Sequence, residues 1–230
     1  MATEITSLRI KAQRLGTVSE VTTFLTDLET AYNSLYVFDF LVDTLSYDRA
    51  RKLKQVDERF HRVRRNWKEF SNHTDYHFDQ FIYRMLFEEY AYNRVKDTLP
   101  NLLELQSKID IEKIVLPSDR LIISKVNIQS PGFWEVLGSL NPLQQIREYI
   151  KDRHERKKDE KYRSRQEEEI GELEIQERKG RIVNQRIETL KELGYSNAEI
   201  RQFATAIVIQ PLIRLGNHQD NGQIEGLDEQ

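Results

Sequence analysis

Apolar and polar positions alternate at the start of the chain, with Leu8, Ile10 and Ala12 set between Arg9, Lys11 and Gln13. That period of two predicts a half-buried strand. Thr17-Val-Ser-Glu20 then forms a capping box, in which the threonine oxygen and the glutamate satisfy amides at a helix start. The period changes to that of a helix at Val21, Phe24, Leu25 and Leu28, and continues through Tyr32, Leu35, Phe38, Leu41 and Leu45. These positions predict a helix over 18–45. A heptad stripe follows, with Leu53, Val56, Phe60, Val63, Trp67 and Phe70 on one helical face. "SNHT" reads as a break and a cap before a third helix, which carries seven aromatics between Tyr76 and Tyr92 and stops at Pro100.

The stretch 101–116 is ambiguous and fits a short helix followed by an extended run that ends at Pro117. The next ten residues, Arg120 to Gln129, predict a second strand with Ile122, Val126 and Ile128 on one face. Ser130-Pro131-Gly132 has the form of a helix start, a capping serine with proline at the first helical position. On that reading Phe133, Trp134, Val136, Leu137, Leu140, Leu143, Ile146 and Ile150 belong to the apolar band of a helix over 131–150, and Pro142 can bend it. From Lys151 to Glu169 the one apolar side chain is Tyr162, and pairs such as Lys151 with Glu155 support an exposed helix. Another helix, weakened by Gly171 and Gly180, ends at Gly194, and a second capping box, Ser196 to Glu199, opens the last one. That helix is expected to bend or stop near Pro211, and the polar tail to fray.

Strand, cap and helix thus recur at 8–28 and 121–150, a pattern that either relates two halves of one small sheet or is a chance echo. The expected class is α+β and mostly helical. A small sheet with the N-terminal helices packed on it forms a head over 1–150. A charged helical arm and a C-terminal helical hairpin occupy 151–216, and a flexible tail 217–230.

Composition narrows the function classes. A chain of 230 residues with 32% charged side chains and a mean hydropathy of −0.68 suits long solvated helices. A net charge of −3 announces no global affinity for nucleic acid. Without cysteine there is no thiol nucleophile, disulfide or thiolate metal site. The first residues lack the apolar core of a signal peptide, and no window is long and apolar enough to span a bilayer. A cytoplasmic location is expected.

His73 and His77 stand four apart with Asp75 and Asp79 interleaved, yet no further ligand motif accompanies them, and a metal needs a third or fourth ligand. His61, His154 and His218 sit among charged or polar neighbours and read as surface residues. No serine lies in a G-x-S-x-G elbow, and the nine glycines build no phosphate loop. No catalytic, cofactor-binding or metal-binding residue is therefore predicted, and no cofactor. The helix of the heptad stripe carries nine Lys or Arg between Arg49 and Lys68, with Arg59, Arg62, Arg64 and Arg65 grouped around its apolar seam. Such a face either covers the seam in solvent or binds phosphates. The block from Arg147 to Arg165 has nine basic residues against five acidic ones in alternating order, which suits an ion-paired helix.

The motifs Ser130 to Glu135 (SPGFWE), Leu137 to Leu143 (LGSLNPL), Ile146 to Tyr149, Asp152 to Asp159 (DRHERKKD) and Tyr162-Arg163 carry a resemblance. Over most of the chain from Leu121 onward the sequence resembles a bacterial protein family that repeats this pattern and has no assigned activity. The resemblance implies a shared fold and transfers no catalytic residue. The Phe133-Trp134 pair beside the charge run then has three readings: an anchor that packs the root of a helical arm on the head, an interfacial helix entering lipid headgroups, or a protein-docking surface. Expected interaction residues are Phe133, Trp134, Arg59, Arg62 and Arg65, and expected structural anchors Ser130, Pro131, Gly132 and Trp67. The expected function is a non-catalytic oligomerising or adaptor protein, a homo-oligomer that meets a protein partner through helix–helix contacts. The alternatives are phosphate binding through the basic helix 49–68 and membrane association through 131–150.

Overall fold

A computed structural model of the chain describes residues 4–13, 16–70, 99–108, 114–127, 129, 131–163 and 181–227; of residues 56–57, 59–70, 106–107, 157–163 and 181 it describes the backbone alone. The expected third helix over 75–95, His73 and His77, Ser130, and the arm beyond Arg163 lie outside the described residues. The class is α+β: helices dominate, around a four-stranded antiparallel sheet of order β2-β3-β1-β4.

Strand β1 (Ile5–Ala12) follows the predicted alternation, with Leu8, Ile10 and Ala12 buried. It lies inside the sheet, paired with β3 (Gly132–Ser139) from Ile5 opposite Ser139 to Ala12 opposite Gly132. Residues 132–139 are thus a strand where the Ser-Pro-Gly start suggested a helix. Over so short an apolar run both periods fit the sequence. The residues themselves favour the strand: Phe133, Trp134 and Val136 suit a pleated surface, and Gly132 and Gly138 disfavour a helix. Gly132 is required by the hairpin, because a Cβ there would stand 2.2 Å from the Asn127 carbonyl oxygen and 2.4 Å from that of Gln129.

The hairpin partner β2 (Ile122–Asn127) pairs with β3, and its register shifts between Ile123 and Lys125. This bulge at Ser124 places Ile122 opposite Leu137 but Val126 opposite Trp134, so the two lie on opposite faces and not on one face as expected. β2 is an edge strand. Ile122, Ile123 and Val126 all remain substantially exposed.

Helix α1 spans Val18–Phe70, 53 residues, which is about 80 Å at 1.5 Å per residue. The capping box opens it as predicted: Glu20 N–H donates to Thr17 Oγ1 and Thr17 N–H to Glu20 Oε2. The break expected after Leu45 is absent. Ser46 to Lys52 contain neither proline nor glycine, and the Ser46 hydroxyl turns back to the Val42 carbonyl without interrupting the ladder. Phe24, Leu28, Tyr32, Leu35, Phe38, Val42 and Leu45 are the buried stripe.

A short helix α2 (Leu102–Lys108) is capped by Asn101, whose Oδ1 accepts from Leu103 N–H at 2.9 Å. Helix α3 (Leu140–Arg163) begins where β3 ends, its first amide donating to the Glu4 carbonyl at 2.9 Å. Leu143, Ile146 and Ile150 are buried, and the charged continuation is helical to Arg163.

Helix α4 (Arg181–Leu193) ends at Gly194, whose φ of 102° fits the left-handed cap, and Ser196 and Glu199 form the predicted capping box of α5 (Asn197–Ala204). The chain then runs through a π turn (Thr205–Ile209) into α6 (Gln210–Asp220) without stopping at Pro211. Proline has no N–H for the carbonyl four residues earlier and its ring crowds that turn, and the wider π geometry relieves both.

The tail also departs from expectation. After a turn at Gly222 (φ 65°), β4 (Ile224–Leu227) completes the sheet beside β1, Ile224 pairing with Ala12 and Leu227 with Ile10. Ile224 is 2% exposed. Two apolar side chains in a polar stretch are enough once β1 offers an unpaired edge. One buried cluster runs from Leu8 through Leu28, Phe38 and Ile146 to Leu190, Phe203 and Ile224. The described residues after 150 therefore do not trail a separate head; they close its core.

Packing is tight where β3 meets α1. A Cβ on Gly138 would fall 2.8 Å from Tyr32 Cε2, and that ring is fully buried and hydrogen-bonded. Gly138→Ala should lower stability by about 1–3 kcal/mol in urea denaturation. Gly226→Ala, whose Cβ would meet His154 at 3.3 Å, should cost clearly less. Equal costs would contradict this account of the sheet–helix contact.

Candidate functional site

Alternation along β3 sends Trp134 and Phe133 to opposite faces. Trp134 points inward, 9% exposed, its ring 5.8 Å from that of Phe24 and tilted by 50°. Phe133 lies half-buried on the outer face, where the Arg9 guanidinium sits 3.6 Å above its centroid. The expected pair of adjacent interaction residues is therefore divided into one core anchor and one surface platform. The interfacial helix over 131–150 does not form either, since 132–139 is sheet. Pro131 leads exposed into the strand, and Gly132 anchors a hairpin instead of a helix start. Arg59, Arg62, Arg65 and Trp67 stand on the distal part of α1, whose side chains are outside the description.

The described residues bring together three polar clusters that the sequence pattern did not indicate. In the first, the Tyr32 hydroxyl accepts from Ser139 N–H at 2.7 Å and donates to the Asp119 carbonyl at 2.5 Å. One turn along α1, the Tyr36 hydroxyl donates to Asp119 Oδ2 at 2.7 Å. Burial, then the neighbouring Asp119, pushes the Tyr36 phenol up to about 12, so it remains a donor at neutral pH.

The second cluster ties α4 to α1. Arg186 Nε donates to Asp39 Oδ1 at 3.1 Å, and its terminal nitrogens hold Asp43. Burial raises the Asp39 pKa and outweighs the opposing pull of Arg186, and its Oδ2 is buried without a hydrogen-bond partner.

The third cluster overturns the expected surface position of His218, which is 6% exposed. Its Nε2 lies 2.9 Å from Asp27 Oδ2, its Nδ1 contacts Gln223 Oε1, and Phe24 meets it edge-on at 5.4 Å. The sequence did contain a signal: His218 and Gln219 continue the helical stripe of Val208, Pro211 and Leu215. An Asp–His pair can orient a general base, but here both ring nitrogens are engaged, so neither is free to take a proton from a substrate. His154 is half-buried beside Gly226.

Among the described residues no three His, Asp or Glu side chains stand together to hold a metal ion. No helix among the described residues is long and apolar enough to cross a membrane. No family model, curated protein or solved structure matches the chain.

Two outcomes follow from the geometry of these side chains. Trp134→Ala should cost about 3–5 kcal/mol in chemical denaturation, and Phe133→Ala, on the outer face, much less; the reverse order would contradict the strand assignment. For Asp39 the folded pKa is raised, so the native state keeps the proton to higher pH than the unfolded chain. Its contribution to stability is fully present below the unfolded value and is lost as pH rises through the folded one. Asp39→Asn removes that decline. Comparing urea melts at about pH 4 and about pH 7, the variant should gain on the parent as pH rises; a constant difference would contradict the reading.

Proposed function

We propose that this protein is a non-catalytic assembly or adaptor protein that meets itself or a protein partner through the distal half of α1. The observation that carries the reading is that α1 continues unbroken from Leu45, the last of its residues described as buried, to Phe70. Those 25 residues correspond to about 37 Å of helix. Tyr47 is 69% exposed, and the residues described after it are mostly exposed, with Leu53 half-buried. The heptad positions 53, 56, 60, 63, 67 and 70 share one face of this segment, and such a face is stabilised by a second helix. The flanking Arg and Lys residues give it a charge that favours a partner helix rich in Asp and Glu.

Mass by light scattering tests the proposal. The parent is expected to run as a dimer or larger at micromolar concentration, and Val56→Glu with Val63→Glu as a monomer that melts like the parent. A parent that is monomeric and captures no partner helix would refute it, as would a double variant that assembles unchanged.

A further inference from the structure

The part of Trp134 that stays accessible borders a cleft of about 300 Å3, which opens between the first turns of α1 and the adjoining ends of β1, β2 and β4. Phe24 and Trp134 form its aromatic floor, and Ala12, Val21 and Ile224 its aliphatic walls. Of its polar side chains, Glu20 is engaged in the α1 capping box, the Thr22 hydroxyl in a bond to the Val18 carbonyl, and the Gln223 carbonyl with His218.

Three groups are left over. The Gln223 NH2 is one, since its carbonyl is the group engaged with His218. Among the described residues the indole N–H of Trp134 has no protein acceptor. Asn127 accepts the Gln129 N–H on Oδ1 at 3.0 Å, which fixes the orientation of its amide and leaves the NH2 group without a partner. The unclaimed groups are all donors, and the one charged side chain among the described lining residues is acidic.

We infer that this cleft binds a small neutral ligand with an apolar body and an acceptor oxygen, a carbonyl compound in chemical class. The apolar body would lie on Phe24 and Trp134, and the oxygen would take the N–H groups of Trp134 and Asn127. A site of this size with few placed polar groups has the usual make-up of a small-molecule pocket. A carboxylate is disfavoured, since it would face Glu20 with no cation among the described lining residues.

Proton–nitrogen correlation spectra of the full chain test the inference, with cyclohexanone as the probe and methylcyclohexane as its counterpart without an acceptor. The indole signal of Trp134 is identified by the spectrum of Trp67→Phe. Cyclohexanone should move that signal downfield and saturably. Methylcyclohexane should bind roughly 2–100-fold more weakly, the value of one or two hydrogen bonds, and leave the downfield shift absent. Val21→Phe, which narrows the cleft, should abolish the response at an unchanged melting temperature. If that variant fails to fold, Asn127→Ala on the edge strand should weaken cyclohexanone and leave methylcyclohexane unaffected. A shift that never saturates, equal responses to the two probes, or a response indifferent to the folded variants would overturn the assignment.

Discussion

A single phenol ties the sheet to the longest helix. Tyr32 lies fully buried on α1, accepts the amide of the last residue of β3, and donates to a carbonyl of the turn that leads into β2. The sheet can come so close only because Gly138 has no side chain; any Cβ there would enter the ring. Position fixes position in both directions. The ring keeps β3 at a set height above α1, and that height lets Trp134 reach Phe24 and lets α3 start without a connecting loop. A hydroxyl buried without these two bonds would be costly, and the same hydroxyl with both makes the junction specific.

What was legible in the sequence follows from how local each signal is. The alternation of β1, the boxes at Thr17 and Ser196 and the glycine cap at Gly194 are all decided within four or five residues, and they appear where expected. The segment 132–139 was not legible because its choice is made by a distant strand. The short apolar run holding Trp134 and Val136 fits either period, and their pairing with Ile10 and Leu8 decides it. Ile224 and Leu227 likewise look like isolated apolar residues in a polar tail, and they gain meaning only against Ala12 and Ile10. The buried clusters escaped for a related reason. Asp39 and Arg186 lie 147 positions apart, and Asp27 and His218 191, so no window along the chain contains either pair.

Those long-range polar contacts share a second property: each has one partner on α1. Asp27 receives His218 of α6, Tyr32 and Tyr36 receive the turn before β2, and Asp39 and Asp43 receive Arg186 of α4. Helix-to-helix packing of aliphatic side chains tolerates sliding and repacking, because dispersion is non-directional. Hydrogen bonds and ion pairs spaced along one helix do not. They set the rotation of α1 about its axis as well as its position, at a desolvation cost visible in the raised Asp39.

That fixed rotation bears on the rest of the helix, beyond Leu45. A docking helix that must first order itself loses conformational entropy on association, and the loss is subtracted from whatever its apolar stripe contributes. In α1 the ordering up to Leu45 is already provided by folding, and no glycine or proline between Leu45 and Phe70 uncouples the rest. Positions 53, 56, 60 and 63 therefore inherit their direction from Tyr32, Asp39 and Asp43. The buried polar contacts that cost the core some stability are, on this account, what aims the seam that the proposed partner would meet.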